Sequence, residues 1–250
     1  MSTTAKKKNS SKKATSDVVY HSLKNDILHL VLPPGSAISE IETAAKYNVS
    51  RTPVRDAFKA LENEELLEVR PHIGTFVSYI DLNKVSDMIF IREVMEQSVL
   101  KIFTTSCTQT QLLKVRLALK EQENLINAYH SEKKAPEERA QYGAQFLRLD
   151  NEFHSLLFQL AGKGSIWELL TTHSSHYDRF RTLINWSEND MLAELYAQHC
   201  NMIDAISSKD FERLSQIISG HIYSGFSGNT DIVLKNMDYF LPETADLSDF

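Results

Sequence analysis

Apolar residues recur three and four positions apart along most of this chain, and in one short stretch the spacing drops to two. Val54, Phe58 and Leu61 stand at helical spacing behind Ser50, whose hydroxyl suits a helix N-cap. Pro53 falls in the first turn of that helix, where its missing N–H costs nothing. Leu67 and Val69 then alternate with Glu68 and Arg70, Pro71-His72-Ile73-Gly74 turns the chain, and Thr75 to Ser78 returns extended. Upstream, Tyr20, Leu23, Ile27, Leu30 and Val31 predict a first helix over about residues 17–31, stopped by Pro33-Pro34-Gly35. Ser39 with Glu42 has the pattern of a capping box for a second helix, and Asn48 suits a left-handed turn before the third.

Past a short linker at residues 81–84 the periodicity is helical, with no strand signal until the tail. Val85, Met88, Ile89, Met95, Val99, Ile102 and Phe103 mark one buried stripe. Further helices are predicted over about 109–129, 138–160 (ending at Gly162-Lys163-Gly164) and 166–184. Ser187 with Asp190 looks like the cap of a helix ending near Ile206, and Asp210 the cap of a last one ending near Tyr223. The fold class is mainly α: an N-terminal winged helix-turn-helix followed by an all-helical bundle. The expected division is a disordered basic arm over 1–16, the winged domain over 17–80, the helical domain over 83–227, and a loosely attached acidic tail over 228–250.

Composition sharpens this picture in a few places. The first 16 residues hold five lysines and no acid, too little apolar surface to fold around. Residues 17–80 carry six Lys or Arg against nine Asp or Glu, a net of −3, within a chain of formal net charge −6. Nucleic-acid binding would therefore rest on local placement of cations, not on overall charge. Arg51 and Arg55 sit one turn apart at the start of the third helix. Such paired guanidinium forks can bond bidentately to guanine or clamp phosphate in a major groove, with His72 and Gly74 at a wing tip near the minor groove. Taken alone, the same arginines would form i, i+4 pairs with acids on an exposed helix. Two cysteines in 250 residues give neither a disulfide framework nor a zinc knuckle. No apolar run approaches the ~18 residues that span a bilayer, and no signal-peptide core is present, so a cytoplasmic protein is expected.

Four polar residues of the helical half occupy positions where periodicity calls for core. Asp150 and His154 lie one turn apart within Leu147, Phe153, Leu157 and Phe158; His199 interrupts Leu195, Met202, Ile203 and Ile206; His221 interrupts Phe211, Leu214, Ile217 and Ile218. Each imidazole alone reads as a hydrogen-bonded core residue. Together, one carboxylate and three neutral imidazoles from three helices match a borderline divalent cation, zinc or nickel. His173 and His176 would be supporting groups. Arg92 and Glu96 share the apolar stripe of their helix, so Arg92 either pairs with Glu96 or faces a cavity and waits for a ligand carboxylate.

The segments PPGSAISE (33–40), VSRTPVRDAF (49–58) and RPHIGTFV (70–77) resemble the winged helix-turn-helix of the GntR family of bacterial transcription regulators. That resemblance implies that Arg51, Thr52 and Arg55 touch double-stranded operator DNA from the recognition helix and that the wing around His72 and Gly74 reaches the minor groove. Ile41 departs from it, standing where many members carry a DNA-contacting arginine. Asp150, His154, His199 and His221 are similar in pattern to the metal-binding FCD effector domain of the FadR subfamily. This implies a divalent metal ion, a homodimeric repressor, and Arg92 in a pocket for a small organic acid. Three alternatives remain: a regulator that senses the metal alone, a helical half that is only a dimerisation block with a few buried polar groups, and a metal-dependent hydrolase, against which no general base is placed near the four residues.

Overall fold

The computed structural model describes residues 3–131, 135–185, 191–224 and 229–242. The chain divides into two compact units, the first built from residues up to Leu82 together with a segment from Asn236 onward, the second from Asn83–Lys235.

In the first unit α1 (Thr3–Leu28), β1 (Ala37–Ile38), α2 (Glu40–Lys46), α3 (Arg51–Asn63), β2 (Leu67–Arg70) and β3 (Gly74–Val77) follow in order. Val19, Leu23 and Ile27 of α1 meet Val54, Ala57, Phe58 and Leu61 of α3 in a core closed by Leu66, Leu67 and Val77. Glu64 ties the helices at their rim, accepting from the Tyr20 hydroxyl at 2.5 Å and Lys24 Nζ at 2.6 Å. The helix starts at Thr3, before the predicted Asp17. The lysine- and alanine-containing arm has good helix formers and neither Gly nor Pro to stop it. It ends sooner than the stripe suggested, and Val31 is exposed while Leu30 turns back at φ 57°.

Ser39 caps α2 by accepting from the amides of Ile41 and Glu42, whereas Ser50 occupies the N-cap of α3 without a side-chain hydrogen bond. Asn48 is left-handed at φ 52°, as its residue type suggests. The hairpin pairs Leu67 with Val77 and Arg70 with Gly74, and β1 adds a third, antiparallel strand on the far side of β3. Two residues of strand carry too little alternation to be read from sequence. Gly35, at φ 78°, lets this corner close: a Cβ there would meet the Tyr79 hydroxyl at 2.8 Å.

The C-terminal segment is not a loose tail over its described part. After α11 (Thr230–Lys235) a 3-10 turn at Met237–Tyr239 leads to Phe240, which forms a parallel bridge with Ile80. Ile80 N–H donates to the Tyr239 carbonyl and Leu241 N–H to that of Ile80, both at 2.9 Å. Phe240 is 1% exposed. The acidic composition of the segment masked this single apolar anchor.

The second unit comprises α4 (Leu82–Ser106), α5 (Gln109–His130), α6 (Pro136–Leu160), α7 (Gly164–Thr172), α8 (Ser175–Asn185), α9 (Met191–Ser208), α10 (Phe211–Ser224) and α11. Helix α5 packs on α6 and α9, α9 on α10, and α6 on α7 and α8. The single helix expected over 166–184 is two. Thr171 and Thr172 turn their hydroxyls back onto the Trp167 and Glu168 carbonyls, and His173 caps the broken end. A run of Thr, His and Ser offers the backbone such local alternatives to the helix. On α4 the stripe also differs: Val85, Met88, Ile89, Val99 and Phe103 are buried, but Met95 and Ile102 join Phe90, Ile91 and Val94 on an exposed apolar row. Asp210 caps α10 as predicted, its carboxylate accepting the Arg213 amide at 3.1 Å. The proposed Ser187–Asp190 cap lies outside the described residues.

Candidate metal centre and DNA-reading surface

Helix α6 presents Asp150 and His154 on one face, α9 presents His199, and α10 presents His221; all four are buried, with one ligand atom of each within 4.8 Å of the others. His221 Nε2 lies 3.2 Å from His154 Nε2 and 3.4 Å from His199 Nε2, and Asp150 Oδ1 lies 3.3 Å from His199 Nε2. The atoms that meet are therefore three Nε2 nitrogens and one carboxylate oxygen.

What stands behind each ring decides what those nitrogens carry. His199 Nδ1 is 2.8 Å from Gln122 Oε1, His221 Nδ1 is 2.8 Å from Gln198 Oε1, and His154 Nδ1 is 2.7 Å from Glu96 Oε2. The two glutamine oxygens accept, so the single proton of a neutral His199 or His221 belongs on Nδ1 and a lone pair on Nε2 faces inward, while the Glu96 carboxylate stands beside His154 Nδ1 at ion-pair distance without a hydrogen bond. Asp150 Oδ1 is buried and accepts no hydrogen bond among the described residues. The lone pairs of His199 and His221, the His154 Nε2 beside them and an orphaned carboxylate oxygen gather at one point, where a cation would join them. The donor set thus fits a divalent metal by its own chemistry.

Burial lowers the His199 imidazole from its ordinary range and, with His199 and His154 adjacent, takes His221 well below it. Burial alone would raise the Asp150 carboxyl, but Arg181 with His199 and His154 holds it well below the usual carboxylate range. For Glu96, burial is likewise outweighed, chiefly by Arg92, and the carboxyl is held at about 2. These shifts share a sign. Below the ordinary histidine value of 6.5 the unfolded chain takes up protons that folded His199 and His221 refuse, and below 4.5 the same holds for Glu96. Urea unfolding of the metal-free protein is therefore expected to show stability falling from pH 6.5 downward, with a further loss from 4.5 towards 2. A flat profile between 6.5 and 4.5 would contradict the neutral burial of these rings.

Arg92 is paired with Glu96, the first of the two sequence readings, and it also borders a cavity. Its Nε donates to Glu96 Oε1 at 2.8 Å and its Nη1 to the Tyr177 hydroxyl at 2.8 Å, yet it also lines a cavity with Tyr177, Arg181, His221, Ile89 and Ile222. Arg181 was not singled out from sequence. It donates to Asp150 Oδ2 and, at 3.1 Å, to Asn151 Oδ1, and its guanidinium stands 5.4 Å from the Tyr177 ring centre. The break between α7 and α8 that puts Tyr177 and Arg181 on a separate helix left no mark in the apolar spacing. His173 is exposed and bonded to its own helix, and His176 stands beside Arg179. Behind the cluster rings stand Glu96, Gln122 and Gln198.

On the first unit, Arg51 and Arg55 are exposed and share one partner, Glu40 at the start of α2, at 3.4 and 3.3 Å. Their partner thus lies across the helix-turn-helix and not within α3. Exposed pairs of this length stabilise little, so the guanidinium groups are available to phosphate or base. Thr52 is exposed beside them, as is Ile41 on α2. His72 at φ 63° and Gly74 at φ 151° form the exposed wing tip, with Ile73 74% exposed between them.

A helix-turn-helix with a wing, followed in the same chain by a helical unit that gathers buried ligand-type groups, defines a class: the two-domain DNA-binding transcription regulator. Comparison with known families places it more closely. Residues 15–77 match the model of bacterial regulatory proteins of the gntR family, and residues 87–224 match the FCD domain. The chain belongs to the GntR family of DNA-binding transcription regulators and carries an FCD domain; it is a regulator, not an enzyme. It is 31% identical over 227 residues to an HTH-type transcriptional regulator of Streptomyces ambofaciens, covering 91% of this chain and 90% of that one. It is 28% identical over 225 residues to the HTH-type transcriptional repressor RspR of Escherichia coli, covering 90% and 93%. The fold is that of E. coli McbR/YncC, with a TM-score of 0.66 at 18% identity over 89% of this chain and 98% of that one. No helix among the described residues is long and apolar enough to cross a membrane.

Proposed function

We propose that the chain is a cytoplasmic, homodimeric repressor whose helical domain holds a divalent metal, zinc or nickel, through Asp150, His154, His199 and His221, and binds a small organic acid against it. The observation that carries this reading is the gathering of three buried Nε2 nitrogens around the orphaned Asp150 Oδ1. When bound, the metal supplies a Lewis-acidic centre for a carboxylate. The protein's part is to hold the rings in register and to offer Arg92 and Arg181 to the acid. The cavity they line is small, about 30 Å³, so any ligand beyond a few atoms requires its wall to move. That requirement couples binding to rearrangement, provided the acid prefers one arrangement over the other.

Arg51, Thr52, Arg55, His72 and Gly74 would read operator DNA. The exposed row Phe90, Ile91, Val94, Met95 and Ile102 on α4 supports a second copy as the partner, because a monomer rarely leaves so long an apolar row in water. The repressor named among the relatives favours repression.

Fluorescence anisotropy tests the whole scheme on DNA selected from a random-sequence pool. Arg55→Ala is expected to cost about 1–3 kcal/mol of affinity. A chelator should change the affinity of the wild type, and small carboxylic acids should change it further only in the metal-loaded form. Arg92→Ala should abolish the acid response and spare the metal response. An acid-insensitive wild type that still answers to metal would favour a metal-only sensor.

A further inference from the structure

Gln122 is the one polar residue in the buried stripe of α5, among Leu112, Val115, Leu119 and Ile126, and its side chain is fully buried. A neutral amide so placed has two ends to satisfy. Its Nε2 donates to the backbone carbonyl of Leu149, at 3.3 Å, and its Oε1 faces His199 Nδ1 at 2.8 Å. The first contact settles the second: with the NH2 group committed to a carbonyl, which can only accept, the oxygen must be the atom that meets the imidazole. His199 is then obliged to carry its proton on Nδ1. Leu149 is the residue before Asp150, so one side chain on α5 fixes the backbone of α6 beside one candidate ligand and the ring of another on α9.

Resting on the metal centre proposed above, we infer that Gln122 is a positioning residue of that centre, selecting the His199 tautomer that offers Nε2 to the metal. Gln198 does the same for His221 at 2.8 Å, with its own amide nitrogen directed at Glu194 Oε1 at 3.3 Å, but from a half-buried site. Water can replace Gln198 there. Gln122 and His199 are both fully buried, so solvent does not reach the Nδ1 edge that Gln122 occupies.

The test is competition of Co2+ and Zn2+ with a chromophoric chelator on the full-length protein, together with the visible spectrum of the Co2+ form and the melting temperature of the metal-free form. Gln122→Met keeps the volume and removes the acceptor, whereas Gln122→Glu keeps an acceptor and introduces a buried charge. If Gln122 acts through the tautomer, metal affinity falls about 10–100-fold in Gln122→Met and stays within a few-fold of wild type in Gln122→Glu, although the latter melts lower without metal. Gln198→Met should lose markedly less. A purely structural role gives the opposite order, with metal affinity following stability so that Met equals or exceeds Glu, and that order overturns the inference. Asp150→Asn separates the two levels. Wild type and Asp150→Asn binding Co2+ alike would remove the metal centre itself, while a weakened Asp150→Asn beside an unaffected Gln122→Met would remove only the role of Gln122.

Discussion

Asp150→Ala is expected to destabilise the metal-free protein by about 3–5 kcal/mol and to remove metal binding at the same time, two losses with different origins. The first comes from Arg181, whose guanidinium is mostly buried and bonded to Asp150; deleting one member of a buried pair strands the other as an uncompensated charge. The second comes from Oδ1, the atom that faces the imidazole nitrogens. A compensating change separates them. Asp150→Ala with Arg181→Met removes both charges, and neutral replacement of a buried pair is often neutral or stabilising. The double variant should therefore regain most of the lost stability while metal binding stays absent. Urea unfolding and metal analysis of the three proteins measure the two effects independently. Recovery of metal binding in the double variant would show that Asp150 serves the fold alone.

The same residue shows why the cluster was legible in the sequence and its surroundings were not. Asp150, His154, His199 and His221 each break an apolar helical stripe, and a polar group on a buried face must point at something. Periodicity therefore identified all four residues the structure brings together. Gln122 breaks the stripe of α5 in the same way, between Leu119 and Ile126, and the same reasoning would have found it. An amide attracts less notice than an imidazole because it does not ligate metals readily. Glu96 was visible as a partner of Arg92, one turn away, but its second oxygen reaches His154 on another helix, a relation no local spacing encodes. Arg181 lies on a helix whose start depends on hydroxyls folding back at Thr171 and Thr172. That competition is decided by small energy differences, so one long helix was the natural expectation.

On the winged unit the short-range elements were legible because helix caps, the Asn48 turn and the hairpin turn are local chemistry. Glu40 was not read as the partner of Arg51 and Arg55, since it belongs to the neighbouring helix and the pairing depends on the angle between them. The strand β1 and the return of the C-terminal segment were missed for a related reason: each is a non-local pairing made by a few residues.

That return gives the second large expectation. Phe240 is 1% exposed and is flanked by two backbone hydrogen bonds to Ile80, and the segment from Asn236 onward belongs to the first unit. Removing a fully buried aromatic side chain costs about 3–5 kcal/mol through lost transfer energy and the cavity left behind. Phe240→Ala is therefore expected to lower the stability of the winged unit by that order, with DNA affinity lost at temperatures where wild type still binds. Metal uptake by the second unit should persist under the same conditions, because none of its candidate ligands lies in the first unit. Calorimetry of the metal-loaded protein would show the two responses as a displaced transition beside an undisplaced one. Deleting residues 236–250 should reproduce the displacement. A variant that melts like wild type would show that the first unit holds without this segment, and that Phe240 is buried for no energetic purpose.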